Sequence, residues 1–220
     1  MTDTPIEPCS GPPTGAPPAE PMFRAPWPAV AIAGVVIACY ALQQMLPDGG
    51  LGFALFPQQV MAGNPAGLLS SLFLHGGWAH AATNAAFALA FGAPVARLFG
   101  MRGRGVAVFF VFYIVCGLLA GLAFVVLHRD GVQPVVGASG AVAGLMGATA
   151  RLMDPPGQLG SPFTRRSMSM AAAWIIVNLL MSVTGLTPGA NGAPIAWEAH
   201  LGGFAAGLLL VGPFNRLSRR

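Results

Sequence analysis

Two side chains capable of acyl-transfer chemistry occur within apolar stretches of this sequence. Ser139 lies in Gly137-Ala138-Ser139-Gly140 and His200 lies in Ala199-His200-Leu201-Gly202-Gly203, and each opens an apolar segment. A serine becomes a nucleophile when a neighbouring histidine takes its proton. Polar groups inside a bilayer are costly and usually serve a function. We therefore expect Ser139 and His200 to form a catalytic pair within a membrane.

Each of these two residues also has an ordinary structural interpretation. Ser139 stands where a helix begins, a position at which serine often caps the free backbone N–H groups. His200 is also explained by a hydrogen bond at the membrane interface. Glu198 is two residues from His200 and points to a different side of a helix, so we expect a dyad and no acidic third member.

A second polar pair, His80 and Asn84, is spaced so that both side chains project from one helix face. Both can donate hydrogen bonds. With the backbone N–H of Ser139 they would form an oxyanion hole for a developing negative charge. The alternative is that they hydrogen-bond neighbouring helices. Asn178, midway along a later apolar segment, is expected to hydrogen-bond a neighbouring helix.

Small residues indicate how the two reacting groups would meet. Gly140 follows Ser139 directly, and Gly203 and Gly207 lie three and seven residues after His200. Small residues at this spacing let membrane helices approach closely. Close approach would bring Ser139 within hydrogen-bond reach of His200, although ordinary helix packing explains the glycines equally well.

The composition is that of a helical membrane protein with several spans. The chain has 220 residues, of which 55% are hydrophobic and 8% charged, whereas a soluble domain carries about a quarter charged residues. Its mean hydropathy is +0.66. The basic excess consists of arginines that flank apolar segments, and this arrangement argues against a nucleic-acid partner. Three cysteines, two of them within apolar segments, predict no disulfide framework.

The chain divides into a tail, a membrane domain and a short end. Residues 1–27 are rich in proline and predict a disordered cytoplasmic tail. Residues 28–215 predict a six-helix membrane domain, and 216–220 a short basic cytoplasmic tail. A long first loop, residues 47–77, is expected to lie partly embedded at the interface. The six predicted spans are Ala29–Leu46, Trp78–Phe99, Val106–Leu127, Ala138–Met153, Met168–Leu186 and Ala196–Phe214.

Arginine placement predicts the orientation of these spans. The second and fourth loops and the C-terminal end are rich in arginine, whereas the first and fifth loops contain none. Positive residues favour the cytoplasmic side, so both termini are expected there. The second, fourth and sixth spans then start at the outer face, which places the four polar residues of the two pairs at similar depth. The absence of a basic signal or transit segment favours a bacterial plasma membrane.

Three motifs in this order resemble the rhomboid intramembrane serine proteases. They are His75-Gly76-Gly77-Trp78-Ala79-His80-Ala81-Ala82-Thr83-Asn84, Gly137-Ala138-Ser139-Gly140 and Ala199-His200-Leu201-Gly202-Gly203. The resemblance covers the six-helix core, roughly residues 29–214. It implies that Ser139 is the nucleophile and His200 the general base.

The same resemblance implies further roles. His80 and Asn84 correspond to oxyanion-hole residues, and His75 to a histidine with a structural role at the end of the first loop. It also implies an enzyme without cofactor or metal that cleaves transmembrane segments of protein substrates near their outer end.

Two positions depart from the family pattern. Many rhomboids carry Trp-Arg in the first loop where this chain has Ala66-Gly67, so the loop must be anchored in another way. Many also have an aromatic residue that packs on the catalytic histidine, four residues after the serine, where this chain has Ala143. Another group is therefore expected to orient His200.

Three other functions compete with an intramembrane serine endopeptidase. A rhomboid-like protein that binds membrane clients without cleaving them generally lacks the serine, the histidine or both. A transporter or channel often carries acids at mid-membrane, which are missing here. A zinc protease would typically show His-Glu-x-x-His, which is absent. The expected partners are transmembrane substrates and the lipid bilayer, and the sequence leaves the oligomeric state open.

Overall fold

The protein is an all-helical bundle, seen in a computed structural model that describes residues 25–185 and 195–220. The predicted proline-rich tail therefore lies almost entirely outside the described residues, as does most of the loop before the last helix. Within the described part the α-helices are α1 Trp27–Gln43, α2 Pro57–Met61, α3 Ala66–Ser70, α4 Trp78–Phe99, α5 Arg104–Leu127, α6 Ser139–Ala150, α7 Arg165–Thr184 and α8 Trp197–Arg219. Two 3₁₀ segments, Pro47–Phe53 and Ser71–Phe73, lie in the first loop.

The six predicted spans correspond to α1 and to α4 through α8. Long apolar runs fold as helices in lipid because a helix satisfies its own backbone hydrogen bonds. Among the described helices, α4, α5 and α7 have the length and apolar composition needed to cross a membrane, and α1 and α6 are shorter apolar helices. The last helix continues to Arg219, beyond its predicted end at Phe214, and contains Pro213.

The short helix α6 lies at the centre of the bundle. It has 12 residues, all but two of them buried. At about 1.5 Å per residue it is roughly 18 Å long, well short of the ~30 Å hydrocarbon core. Helices α4, α5 and α8 all pack against it. Ser139, the first residue of α6, is one of the two that are only partly buried, and it stands at one end of this central helix.

Glycines let α8 lie directly on α6. A Cβ atom added to Gly203 would collide with the carbonyl oxygen of Gly140, and one added to Gly207 with that of Gly144. On its other side, a Cβ at Gly140 would lie 2.5 Å from the Ala120 Cβ of α5. The two backbones are in contact, which brings the first turns of α6 and α8 together.

Gly207→Ala is expected to destabilise the protein and to separate Ser139 from His200. The new methyl group would meet the α6 backbone, which cannot yield as a flexible side chain can, and overpacking of this kind costs about 1–3 kcal/mol. Thermal unfolding in detergent would measure the loss. Gly34→Ala in α1 is the matched control, because a Cβ there meets nothing within 4 Å; equal melting temperatures for the two variants would contradict the close packing.

The first loop packs on α5 and is tied by backbone contacts. Leu55 and Val135 exchange two hydrogen bonds, each with an N···O distance of 2.9 Å. Gly67, the second residue of the Ala66-Gly67 pair, lies so close to the preceding part of the loop that a Cβ would be 2.7 Å from the Ala54 carbonyl oxygen. Here a glycine that admits close backbone approach stands where a Trp-Arg pair is common, so the loop is anchored through its backbone.

Helix α7 is attached to the bundle at few points. Ser167 and Asn178 are its buried residues. The Ser167 hydroxyl donates to the Ala150 carbonyl oxygen at 3.0 Å, and Thr164 caps the helix by accepting from the Ser167 N–H. Most of its apolar side chains face outward, as expected of a helix against lipid. Its one buried polar group in the middle is Asn178.

Candidate active site

Ser139 and His200 meet at the contact between α6 and α8. The Ser139 Oγ lies 2.8 Å from the His200 Nε2, within hydrogen-bond distance. Ser139 is the first residue of α6, and no side chain caps that helix. The interpretation of Ser139 as a helix cap is therefore wrong: its hydroxyl contacts the histidine.

The other ring nitrogen of His200 contacts α7. Its Nδ1 lies 2.7 Å from the Asn178 Oδ1, and the Asn178 Nδ2 donates to the Trp174 carbonyl oxygen at 2.8 Å. The predicted hydrogen bond from Asn178 to a neighbouring helix is thus present, and the partner is His200. The sequence did not identify that partner.

An aromatic ring does pack near His200, although it comes from α7. The Trp174 ring centroid lies 6.0 Å from that of His200, with 38° between the planes. Ala143 on α6 is 1% exposed and packs with Met146 and Phe204. The sequence analysis missed Trp174. Trp174 and Asn178 are four residues apart and share a helix face. This spacing could have indicated that both side chains of α7 lie beside the same neighbour.

His80 and Asn84 lie on α4 beside the same cavity as the dyad. The Nδ1 of His80 accepts from the Gly76 N–H at 3.3 Å, so a neutral ring carries its hydrogen on Nε2 and can donate there. One amide hydrogen of Asn84 is engaged by the His80 carbonyl oxygen, with an N···O distance of 3.0 Å. Among the described residues no acceptor engages the His80 Nε2–H, so His80 offers a donor, and Asn84 offers its second amide hydrogen.

Gly137 keeps space open between His80 and the serine. Its φ of +130° is a conformation that side chains rarely adopt. A Cβ at this position would lie 3.0 Å from the His80 Nε2 and 3.5 Å from the Ser139 Oγ. Its N–H donates to the Ser71 carbonyl oxygen at 2.9 Å, which fixes the segment before α6 to the first loop.

The polar residues face a cavity of about 570 Å³. It is bounded by the first loop, by the Pro134–Gly137 segment and by residues of α4 through α8, and most of its lining is apolar. Cavities of roughly 300–1,000 Å³ with few polar groups are typical of ligand sites. The cavity provides room for an extended peptide segment beside Ser139.

His75 lies outside this lining and has structural contacts. It is 1% exposed, its N–H donates to the Gln43 Oε1 at 2.9 Å, and its carbonyl oxygen accepts from the Gln43 Nε2 at 3.0 Å. Its ring packs edge-on against Tyr40 and His80. The predicted end of the first loop is thus tied to α1 through Gln43, a residue that the sequence analysis did not single out.

His75 is expected to make the fold sensitive to acid. Burial and the neighbouring His80 lower the pKa of His75 from 6.5 to about 4. The unfolded chain then binds the proton more tightly than the folded one, so stability falls as the pH drops from about 6.5 towards 4. The lowered pKa of His75 corresponds to about 3 kcal/mol of stability. Melting temperatures measured across this range would show the loss.

His75→Phe is expected to reduce that acid sensitivity. Both ring nitrogens of His75 lack a hydrogen-bond partner within the described residues, so a phenyl ring sacrifices no such bond at neutral pH. His128→Gln, at an exposed ring, should keep the sensitivity of the parent chain. An undiminished acid-induced loss in His75→Phe would show that another group causes it.

Glu198 faces away from the dyad. Its Oε1 lies 2.9 Å from the His128 Nε2 at the end of α5. This agrees with the expectation that Glu198 does not orient His200. The contact joins the first turn of α8 to α5.

The fold and this cluster define a class: a multi-pass helical membrane protein with a serine and a histidine in contact between two of its helices. The chain matches the family model of the Rhomboid domain over residues 62–216 and belongs to the rhomboid family. It is 29% identical over 143 residues to RHOMBOID-like protein 5 of Arabidopsis thaliana, covering 65% of this chain and 42% of that protein. It is 32% identical over 148 residues to RHOMBOID-like protein 4 of the same plant, covering 65% and 32%. The match thus spans less than half of either relative.

Proposed function

We propose that this chain is an intramembrane serine endopeptidase that cleaves transmembrane segments of other membrane proteins. Ser139 is the nucleophile and His200 the general base. The observation that carries the proposal is the 2.8 Å contact between the Ser139 Oγ and the His200 Nε2, beside a cavity large enough for a peptide. Residues 28–215 form the catalytic domain.

In the proposed reaction one histidine takes and returns a proton in each of two half-reactions. The His200 Nε2 takes the Ser139 proton as Oγ attacks the peptide carbonyl carbon. The carbonyl oxygen of the substrate becomes negative. It is stabilised by the Nε2–H of His80, an amide hydrogen of Asn84 and the Ser139 N–H. His200 then gives its proton to the departing amine, and the acyl-enzyme forms. A water molecule then attacks the acyl carbon while the His200 Nε2 takes its proton. The bond from that carbon to Oγ breaks, the acid product leaves, and His200 returns the proton to the Ser139 Oγ.

The substrate must be partly unwound before it reacts. A regular helix hides its carbonyl groups in hydrogen bonds, so a cleavable segment has to present an extended stretch to Ser139. Transmembrane segments with glycine or proline near a small residue at the cut meet this need. The cavity supplies the space for that stretch.

The proposed orientation places the site near the outer face. The arginine-rich loops and both termini lie in the cytoplasm, and the first turns of α4, α6 and α8 lie towards the outside. Water for hydrolysis then reaches Ser139 from the outer side. Cleavage accordingly occurs near the outer end of a substrate span.

The test is cleavage of a model transmembrane substrate by purified protein in detergent, with and without a chelator. Wild type is expected to cut and Ser139→Ala to be inactive, with no effect of the chelator. Labelling of Ser139 by a fluorophosphonate probe shows nucleophile reactivity without depending on the choice of substrate. Equal cleavage by wild type and Ser139→Ala, or absence of labelling in folded wild type, would overturn the proposal.

A further inference from the structure

We propose that Asn178 is a positioning residue for the general base and completes a Ser–His–Asn triad built from α6, α8 and α7. Asn178 holds His200 in the form that accepts the serine proton. This inference rests on the proposed function, because it assigns a role within the same reaction. The role it assigns to Asn178 is exerted through His200.

The orientation of the Asn178 amide follows from its two contacts. Its nitrogen faces the Trp174 carbonyl oxygen at 2.8 Å, where only a donor is favourable. Its oxygen is therefore the atom that lies 2.7 Å from the His200 Nδ1. An amide turned the other way would set two oxygens against each other. The amide oxygen can only accept, so the His200 Nδ1 must carry a hydrogen and donate.

This contact decides which nitrogen faces the serine as a base. A neutral imidazole has one N–H and one bare nitrogen. With the hydrogen fixed on Nδ1, the bare nitrogen is Nε2, which lies 2.8 Å from the Ser139 Oγ. The other tautomer would put an N–H against the hydroxyl and leave nothing to take its proton. Asn178 thereby selects the reactive form before substrate arrives.

The surroundings of His200 give this role to α7. Three other neighbours do not orient the ring. Ala143 on α6 is too small to pack on the imidazole, and Glu198 on α8 contacts His128. His80 on α4 has no carboxylate with which to accept a hydrogen bond from His200. The ring hydrogen bonds seen for His200 go to Ser139 and Asn178. Trp174, one turn from Asn178, packs near the imidazole ring. Both groups that orient the base thus come from one face of α7.

The burial pattern of α7 supports a specific purpose for this amide. Asn178 is 1% exposed, on a helix whose other buried residue is Ser167 in its first turn. Placing an amide among apolar groups is costly unless both ends are satisfied, and here both are. The position of α7 therefore determines whether His200 keeps its partner.

The experiment compares Asn178→Leu and Asn178→Asp with Leu180→Ala as the matched control. Leucine has nearly the shape of asparagine without an acceptor, and aspartate keeps an oxygen for Nδ1 while losing the donor to Trp174. Leu180 is 58% exposed on the same helix. The readouts are the rate of fluorophosphonate labelling of Ser139 and the separate kcat and KM values for a model transmembrane substrate. Thermal melting shows that each variant is folded.

Asn178→Leu is expected to lower the labelling rate and kcat by about 10- to 100-fold, because a correctly held base contributes up to about 10⁴-fold. KM should change little. Asn178→Asp should stay within about fivefold of wild type, and Leu180→Ala should match it. Both variants lose the donor to the Trp174 carbonyl oxygen, so a purely structural role of Asn178 would be impaired in both. Recovery in Asn178→Asp alone would show that the function of Asn178 is to accept the hydrogen bond from the His200 Nδ1.

Two results would overturn the inference alone. One is wild-type labelling by Asn178→Leu; the other is an equal loss in Asn178→Leu and Asn178→Asp while wild type remains reactive. A folded wild type that neither labels nor cleaves would overturn the proposed function, and this inference with it. The wild-type measurement therefore distinguishes failure of this inference from failure of the proposed function.

Discussion

His200→Ala is expected to lower kcat/KM for cleavage of a transmembrane substrate by about 100- to 10,000-fold. Without the imidazole the Ser139 hydroxyl has no acceptor beside it, and no group returns a proton to the departing amine. Alanine also opens a gap beside Trp174 and leaves the Asn178 oxygen without its partner. Initial cleavage rates at several substrate concentrations would measure the loss, which should appear mainly in kcat.

His128→Gln is the control for the removal of a histidine. Its ring lies at the end of α5 and pairs with Glu198, and glutamine keeps a donor for that carboxylate. Cleavage by this variant should stay within about twofold of wild type. A His200→Ala enzyme with more than a tenth of wild-type activity would contradict the assignment of His200 as the base.

His80→Phe is expected to lower kcat by about 100- to 1,000-fold, the range found when one oxyanion donor is removed. Phenylalanine keeps the ring that packs against His75 and loses the free Nε2–H. Asn84→Ala should cost less, because one of its amide hydrogens is already engaged by the His80 carbonyl oxygen. Steady-state kinetics on one substrate would rank the two effects.

Thr83→Val is the matched control on the same helix turn. The Thr83 hydroxyl donates to the Ala79 carbonyl oxygen of its own helix at 2.8 Å. Thr83 also lines the cavity, but valine keeps its shape there, so the loss of the hydroxyl should leave kcat nearly unchanged. Equal effects of His80→Phe and Thr83→Val would show that His80 does not stabilise the oxyanion. A loss larger for Asn84→Ala than for His80→Phe would reverse the predicted order of the two donors.

The helical architecture and the Ser139–His200 contact could be predicted because polar residues are rare in these apolar segments. Arginine placement predicted that α4, α6 and α8 start at one end, and the glycines after both residues predicted a close approach. These arguments need only the order and direction of the helices. They do not need the rotation of a helix about its axis.

The contacts missed by sequence analysis depend on that rotation or on distant packing. Helix α7 is apolar on most faces, so its pattern does not show which side meets α8, and the partner of Asn178 stayed unknown. Gln43 and His75 are far apart in sequence, and the side-chain amide of Gln43 hydrogen-bonds the backbone of His75. The need for glycine at Gly67 is evident only from the folded structure, in which the Ala54 backbone lies against it.

The twelve-residue length of α6 makes this helix a molecular ruler. Arg151, directly after α6, is held by the carbonyl oxygens of Gly160 and Leu208, which fixes that end of the helix. The length of α6 then places Ser139 about 18 Å from the fixed end. Under the proposed orientation, the cut in a substrate lies at a fixed distance from the cytoplasmic face, whatever the length of its outer part. Mapping the cut by mass spectrometry in substrates extended only at their outer ends should show an unchanged position; a cut that moves outward with each extension would exclude such a measure.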